Sequence, residues 1–148
     1  MLFVHHVLED ARRRLAILPP GARVADAARA LAERDTPLAV VCDAQGLAVG
    51  VISRTDVIAS LVRAGNGVLD TCATEIMTSP VFSCHQSDTL QSVWLAMSAR
   101  GLRSAPILDD GRRPQGVIHA RDLVRSLLDE VNSEELLLRD YVLGIGYQ

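Results

Sequence analysis

The sequence contains no lysine, since all fifteen basic residues are arginine. Aromatic residues make up only 3% of the chain, so the core must be aliphatic. Proteins that hold single-stranded nucleic acid need several aromatic side chains on which bases stack, and general nucleic-acid binders normally carry a basic excess. With few aromatics and a formal net charge of -3, the chain is not expected to bind nucleic acid.

Cysteine is also scarce, and no long apolar run is present. The three cysteines, Cys42, Cys72 and Cys84, show no CxxC spacing, which favours reduced thiols over a disulfide framework or a metal site. No run reaches the roughly 18 apolar residues that a membrane span requires, and the N-terminal segment has no small-residue cleavage site. The sequence therefore predicts a cytoplasmic protein with no membrane partner and no bound metal.

What the chain does contain is ample apolar surface. Hydrophobic residues make up 49% of its 148 residues and charged residues 22%, a composition typical of a packed domain and far from that of a disordered chain. The length is that of one ordinary domain. We therefore expect one packed domain that is too small to be a barrel enzyme.

The sequence repeats itself once. A constant shift of 66 residues superimposes residues 15–62 on residues 81–128 without gaps, and most aligned pairs keep their apolar or polar character. Two copies of one unit are the best explanation of this match. The identical pairs are Ala30/Ala96, Arg34/Arg100, Ala39/Ala105, Asp43/Asp109, Gly50/Gly116, Val51/Val117, Ile52/Ile118, Asp56/Asp122, Ser60/Ser126 and Leu61/Leu127.

Each copy shows the same order of periodicities, which predicts an α+β or α/β fold built from two β-α-β-β-α units. A short leading strand (15–18, 81–84) precedes an amphipathic helix (24–31, 90–97). Two short apolar runs with turn residues between them then predict a pair of strands (38–42 and 48–52, 105–108 and 116–118). A second helix begins near Ser53 or His119. A unit of about 50 residues is too small to be stable alone, so the two must share a core.

One motif occurs in both copies, at the end of the last strand. It reads GVISRTD at residues 50–56 and GVIHARD at residues 116–122. Together with LRSAPILD (102–109) and IMT (76–78), it closely resembles the CBS domain family, named from cystathionine beta-synthase. The resemblance implies that the two repeats pack through their sheets with pseudo-twofold symmetry. It also implies two clefts between them, where adenosine compounds such as AMP, ADP, ATP or S-adenosylmethionine bind.

The chemistry of Ser53 and Asp56 suits such a ligand. At the start of a helix, free backbone amides attract phosphate, and a carboxylate accepts hydrogen bonds from the two ribose hydroxyls. Ser-x-x-Asp is equally a capping box that stabilises the helix by about 1 kcal/mol with no ligand present. Both readings can hold together, because a cap can exchange its partner for a ligand.

By resemblance, the first cleft combines the start of the second helix of repeat one with residues of repeat two. Leu102 offers an apolar wall for an adenine face, although it could equally be a core residue. Arg103 offers a fork for phosphate, although it could equally be a solvated surface charge. The predicted residues are Ser53, Arg54, Thr55, Asp56, Thr78, Val81, Leu102, Arg103 and Ser104.

The second cleft would combine His119, Arg121 and Asp122 with Thr36 and Leu38. Here the sequence departs from the family pattern, because His119 replaces the usual serine or threonine and is bulky enough to fill the pocket. Residues 11–12 of the first copy read Ala-Arg, where the second copy has Met-Thr at 77–78. We therefore expect unequal sites, with the Ser53/Asp56 site the tighter one.

The chain is divided into three parts on this reading. Residues 1–66 hold an N-terminal amphipathic helix and repeat one, residues 67–131 hold repeat two, and residues 132–148 form an apolar tail with a helix start near Asn132. Tyr141 and Tyr147 give the tail too much apolar surface to be left in water, so it should dock. Small stand-alone bacterial CBS proteins look similar here, and the family resemblance implies a homodimer.

The sequence leaves three possible functions open. The first is a non-catalytic regulatory module that binds an adenine nucleotide and controls an unidentified protein, with no cofactor required. The second is an interaction scaffold whose clefts have lost their ligand. The third is a nucleotide-processing enzyme, which the absence of a glycine-rich phosphate loop, an HExxH motif and a GxSxG motif disfavours.

Overall fold

The computed structural model describes residues 1–146, so the expected docking of Tyr147 lies outside the described residues, as does the side chain of Tyr141. Residues 1–146 form five helices and five strands, with short 3-10 turns at Val4–Val7, Asn66–Asp70 and Ala73–Glu75. In order they are α1 (Leu8–Arg13), β1 (Ile17–Leu18), α2 (Val24–Glu33), β2 (Leu38–Cys42), β3 (Ala48–Ser53), α3 (Arg54–Ala64), α4 (Leu90–Arg100), β4 (Ser104–Leu108), β5 (Pro114–His119) and α5 (Ala120–Gly146).

The strand registers confirm the repeat. Strands β2 and β3 pair antiparallel from Leu38 opposite Ser53, and β4 and β5 pair antiparallel from Ser104 opposite His119. Both pairs also carry a register irregularity one residue before the end of the first strand. Each of these features recurs 66 residues later, so the two copies share their backbone geometry as well as their sequence pattern.

The leading strands differ between the copies. Strand β1 pairs parallel with β2 over two residues, whereas the predicted strand at residues 81–84 is reduced to a single parallel bridge from Cys84 to Ile107. Cys84 is the one buried residue of that segment. Its amide donates to Pro106, and its carbonyl accepts from Leu108. Only the residue that reaches the core is thus held in the sheet.

The two repeats exchange their leading segments. The N-terminal helix α1 packs on β5, and Leu8 and Ala11 belong to the core of repeat two. Conversely, Ala73 and Met77, which precede repeat two in sequence, pack into the core of repeat one. Neither repeat therefore completes its own core with its own residues.

A third hydrophobic cluster joins the repeats and confirms the expected shared core. Strand β2 is buried along its whole length because alternate residues face opposite sides. Ala39 and Val41 face the core of repeat one. The alternating residues Leu38, Val40 and Cys42 face repeat two. The central cluster consists of Leu38, Val40, Cys42, Ala48, Leu108 and Val117.

Helix α5 differs from the sequence expectation. The predicted helix start near Asn132 is absent, and one helix runs continuously from Ala120 to Gly146. Asn132 and Ser133 are followed by the helix-forming run EELLLR, and no glycine or proline occurs between them and Gly144. A cap-like pair of residues cannot break a helix whose flanking residues all favour it.

The exchange of leading segments predicts a difference between two equivalent glycines. A methyl group added at Gly116 would lie 2.9 Å from the backbone carbonyl carbon of Ala11, whereas one at Gly50 would meet the flexible side chain of Met77. Gly116→Ala should therefore lower the free energy of unfolding by about 1–3 kcal/mol, because α1 must shift. Gly50→Ala is the matched control and should cost less, since methionine can repack. Denaturant titration of both variants tests this, and equal losses would contradict it.

The three thiols should differ in reactivity. Cys42 and Cys84 are buried, and burial raises the pKa of Cys84 to about 12, whereas Cys72 is exposed. Because the thiolate is the reactive form, one thiol per chain should react rapidly with Ellman's reagent in the folded protein and three after denaturation. Cys72→Ser should abolish the rapid phase. A rapid reaction that persists in this variant would show that the cores open readily.

Candidate functional site

A cleft of about 830 Å³ lies between the two repeats, where their strand pairs end. Its centre is marked by the paired residues Leu38 and Ser53 of repeat one and Ser104 and His119 of repeat two. It contains ten of the fourteen predicted site residues. The full lining is Pro37, Leu38, Val51, Ser53, Arg54, Thr55, Asp56, Thr78, Pro80, Phe82, Arg100, Gly101, Leu102, Arg103, Ser104, Pro106 and His119.

Ser53 and Asp56 form the predicted capping box at the start of α3. The Asp56 amide donates to the Ser53 hydroxyl oxygen at 3.1 Å, and the Ser53 amide donates to one carboxylate oxygen of Asp56 at 2.8 Å. The hydroxyl hydrogen of Ser53 and the other carboxylate oxygen of Asp56 can still meet a ligand in the cleft. The box thus fixes both side chains at the helix end and leaves each with unused hydrogen-bonding capacity.

Thr78 is held at the edge of the cleft by backbone pairing with β3. Its amide donates to the Val51 carbonyl at 2.8 Å, and the Val51 amide donates to the Thr78 carbonyl at 3.1 Å. This pairing fixes the backbone of Thr78, and its exposed side chain lines the cleft. The residue that opens repeat two in sequence thereby becomes part of the repeat-one sheet.

The opposite side of the cleft is basic and partly apolar. The Arg100 guanidinium lies over the Phe82 ring, 4.5 Å from its centroid. Arg103 is exposed, and its carbonyl accepts from the Ala120 amide at 2.8 Å, which ties it to the start of α5. The side chain of Leu102 is also exposed, which excludes its reading as a core residue.

Arg54 is more constrained than the sequence suggests. Its guanidinium pairs with Asp35 at 2.9 Å and also donates to the Leu31 carbonyl at 3.4 Å. These contacts hold α3 to the end of α2. Arg54 thus lines the cleft with part of its charge already compensated.

His119 enters the cleft from repeat two. Its Nδ1 accepts a hydrogen bond from the Arg121 amide at 3.0 Å, so it caps the start of α5 in the place where Ser53 caps α3. Burial first, and then the positive charge of Arg121, lower the pKa of His119. A neutral ring that accepts at Nδ1 carries its proton on Nε2, which makes it a hydrogen-bond donor.

Four predicted residues lie outside this cleft. Val81 is half-buried beside it, and Arg121 is exposed on α5. Thr36 is fully buried, and its hydroxyl donates to the Leu38 carbonyl at 3.2 Å, so it serves the backbone.

Leu38 and His119, which were expected in the second cleft, line the first one, because strand pairing places them next to Ser53 and Ser104.

Of the residues predicted for the second cleft, Asp122 lines a separate small cavity of about 90 Å³ between α1 and α5. Asp122, the counterpart of Asp56, forms an ion pair with Arg14 at the end of α1 and lies 4.0 Å from Arg125. Arg14 stands where the repeat places Pro80 in the first cleft. The carboxylate that the resemblance assigns to a ligand is therefore neutralised within the chain.

Sequence reasoning missed several lining residues of the cleft. Phe82 and Arg100 carry no motif, and they become visible only when the leading segment and the end of α4 meet in space. Pro80 could have been found, because it lies two residues after the predicted Thr78 in the same leading segment.

The structure thus defines a cleft-forming module of two β-α-β-β-α repeats. The family model of the CBS domain matches the chain twice, at residues 6–63 and 73–129. The chain belongs to the CBS domain family and is a CBS pair, and proteins of this family are generally regulatory modules. A curated relative, an uncharacterized 17.7 kDa protein of Acidianus ambivalens, is 28% identical over 123 residues, which are 83% of this chain and 73% of the relative.

Solved structures share the fold over most of the chain. A CBS-domain containing protein from Agrobacterium tumefaciens is 25% identical with a TM-score of 0.75, covering 84% of this chain and 98% of that one. The CBS pair of protein MJ0100, solved with 5-methylthioadenosine and S-adenosyl-L-methionine, is 22% identical with a TM-score of 0.76, covering 88% and 98%. The protein CBSX2, solved with AMP, is 22% identical with a TM-score of 0.70, covering 87% and 98%.

Residues 1–146 contain neither a membrane-spanning helix nor a cluster of metal-binding side chains. No helix in this range combines the length and the apolar character needed to cross a bilayer. Nor does the described part of the chain bring three histidine, cysteine or acidic side chains together in a way that could hold a metal ion.

The lowered pKa of His119 predicts a pH dependence of stability. Since the unfolded chain then binds a proton at this histidine more tightly than the folded chain, the free energy of unfolding should fall as the pH falls below about 6.5. His119→Gln should remove that part of the dependence. Denaturant titrations of both proteins at about pH 7.5 and pH 5.5 measure the difference, and an identical dependence in the two would show that His119 does not contribute.

Proposed function

We propose that the chain is a non-catalytic sensor of an adenosine nucleotide, which binds in the cleft of Ser53 and Asp56. The observation that carries the proposal is the composition of this cleft. One side presents the start of α3 with the fixed hydroxyl of Ser53 and the fixed carboxylate of Asp56. The other side presents Arg100 and Arg103, with the exposed Leu102 between them in sequence. The module has polar groups for a ribose and a phosphate and an apolar wall for a base.

The proposed contacts follow from the chemistry of each group. Asp56 accepts hydrogen bonds from the ribose hydroxyls with its unused oxygen. Leu102 and Val51 give the adenine ring its apolar contacts. Arg103 and Arg100 bind phosphate, with Nε2 of His119 as a further donor. Thr55 and Thr78 supply hydroxyl groups at the rim of the cleft.

The charge of the lining favours an anionic ligand. Arg100, Arg103 and the partly compensated Arg54 outnumber the single carboxylate of the lining, Asp56, and the lowered pKa of His119 keeps that ring neutral near pH 7. A phosphorylated ligand gains attraction from this excess, whereas a sulfonium such as S-adenosylmethionine does not. We therefore place AMP, ADP and ATP ahead of uncharged or cationic adenosine compounds.

The second cleft is proposed to stay empty. The Arg14 guanidinium pairs with the carboxylate of Asp122, the group that the family resemblance assigns to the ligand, and His119 and Leu38 line the first cleft instead. Arg121 and Thr36 accordingly have no ligand role in this proposal. One nucleotide per chain is the resulting stoichiometry.

Control of another protein requires that the nucleotide prefer one state of the module. The cleft is suited to this, since its two sides belong to different repeats and a ligand that bridges them would favour one relative placement. We propose energy sensing in the cytoplasm, where thiols such as Cys42, Cys72 and Cys84 stay reduced. The regulated protein is unidentified.

The sensor is also proposed to be a homodimer. Ile58 and Val62 lie exposed on α3, and their repeat partners on α5 are Val124 and Leu128. We call these four residues the patch: Ile58, Val62 and Leu128 are exposed and Val124 is half-buried, and exposed apolar surface at equivalent positions of two helices is the kind of surface that a second copy covers.

Calorimetric titration with AMP and ATP tests the nucleotide site. Asp56→Asn should weaken binding at least about tenfold, because a charge-assisted hydrogen bond is lost while a side chain of the same shape remains. Asp122→Asn is the matched control at the equivalent position of the other repeat and should leave the isotherm unchanged.

An unchanged isotherm in Asp56→Asn would remove the nucleotide from this cleft. The scaffold alternative is tested by thermal shift of the wild-type chain with adenosine, AMP, ATP and S-adenosylmethionine. A scaffold without a ligand would show no shift with any of them, and release of phosphate from ATP would reinstate the enzyme hypothesis.

A further inference from the structure

Helix α5 carries an exposed apolar stripe that extends beyond the module. Its residues recur at alternating intervals of four and three, which is the spacing of a coiled-coil seam. The side chains of the last four apolar members are each 57–64% exposed. The stripe consists of Val124, Leu128, Val131, Glu135, Leu138 and Val142.

We propose that this stripe, here called the seam, packs against the seam of a second copy to form a parallel, in-register, two-stranded coiled coil. The inference rests on the homodimer proposed above and adds the contact surface and its orientation. The seam spans 19 residues, or about 28 Å of helix. Because fewer than three heptads are short for an independent coiled coil, the seam supplements the patch on α3 and α5.

The charges beside the seam favour the parallel orientation. In a parallel pair, a residue flanking one side of the seam meets the residue five positions further along the other helix. Glu134 then meets Arg139 of the second copy, and the twofold axis repeats this ion pair. An antiparallel pair with the same apolar layers brings Glu134 next to Glu134 on one flank and Arg125 next to Arg139 on the other, so both flanks carry like charges. The parallel pair has one like-charge contact, Glu135 with Glu135, and two Glu134–Arg139 ion pairs.

Glu135 is the one seam residue that is not apolar. Its carboxylate lies 3.6 Å from the Arg139 guanidinium of the same helix, and both side chains are exposed. In the parallel pair Glu135 faces Glu135 of the second copy, which lowers the stability of the seam, and Arg139 of each chain offsets this repulsion. Arg139 therefore neutralises Glu135 and lies near Glu134 of the second copy.

The seam is continuous with the patch on the module. Its first two residues, Val124 and Leu128, correspond under the repeat to Ile58 and Val62. A parallel seam places repeat two of one chain beside repeat two of the other. One twofold axis then relates the two copies and, with them, the two nucleotide clefts.

Disulfide trapping tests the seam in a Cys72→Ser background, where the remaining thiols are buried. In a parallel seam, identical residues lie side by side, so Leu138→Cys should give a disulfide-linked dimer under mild oxidation on a non-reducing gel. Leu137→Cys is the matched control, since its side chain is equally accessible but lies off the seam. At least about tenfold more cross-linking is expected at 138 than at 137.

Light scattering of the uncross-linked chain at high concentration separates the two proposals. A dimer mass with no preference for position 138 would overturn the seam and leave the homodimer standing, whereas a monomer mass would overturn both. Cross-linking only in a mixture of Leu128→Cys and Leu138→Cys chains would show an antiparallel pair and overturn the proposed orientation.

Charge exchange gives an independent check of the orientation. Glu134→Arg and Arg139→Glu should each weaken dimerisation by roughly fivefold, and the double variant should restore it, because the ion pair is re-formed with its signs exchanged. Failure of the double variant to recover would show that these two residues do not meet across the dimer.

Discussion

The contact between the two strand pairs is the interaction on which the molecule depends. Leu38 and Val40 of β2 face Leu108 and Val117 of repeat two, and the same strand also serves the core of repeat one. A strand buried on both faces can keep its position only while both repeats are folded. The cleft exists because this contact ends where the strands end, and beyond it the two repeats diverge.

The ends of the strand pairs then decide where chemistry can occur. Ser53 and His119 are each the last residue of a strand and the cap of the following helix. Pairing fixes their backbones, and capping fixes their side chains. The repeat thus produces two helix ends, and they differ in what the leading segment brings to them: Thr78 lines the cleft at the first, whereas Arg14 pairs with Asp122 at the second.

Much of this could be predicted from the sequence because it follows from local periodicity and from the repeat. The element order and the capping box of Ser53 and Asp56 have short-range signals, whereas the placement of Thr78, Leu102 and Arg103 in one cleft was expected from the family resemblance. The ion pair of Arg14 with Asp122 has no such signal, since the two residues are distant in sequence and meet only because α1 crosses to repeat two. The sequence also did not predict that α5 continues past Asn132. Asparagine is a residue type that often caps a helix, but no helix-breaking residue stands beside this one.

The crossing of the leading segments has a consequence for how such a chain can be divided. A cut in the connection between residues 64 and 73 would leave a first fragment that carries Leu8 and Ala11, which the other half needs, and lacks Ala73 and Met77, which it needs itself. The second fragment would be incomplete in the reciprocal way. Two such pieces can fold only by complementing each other. The exchange therefore makes the folding of each half depend on the other, so that unfolding of one half unfolds both.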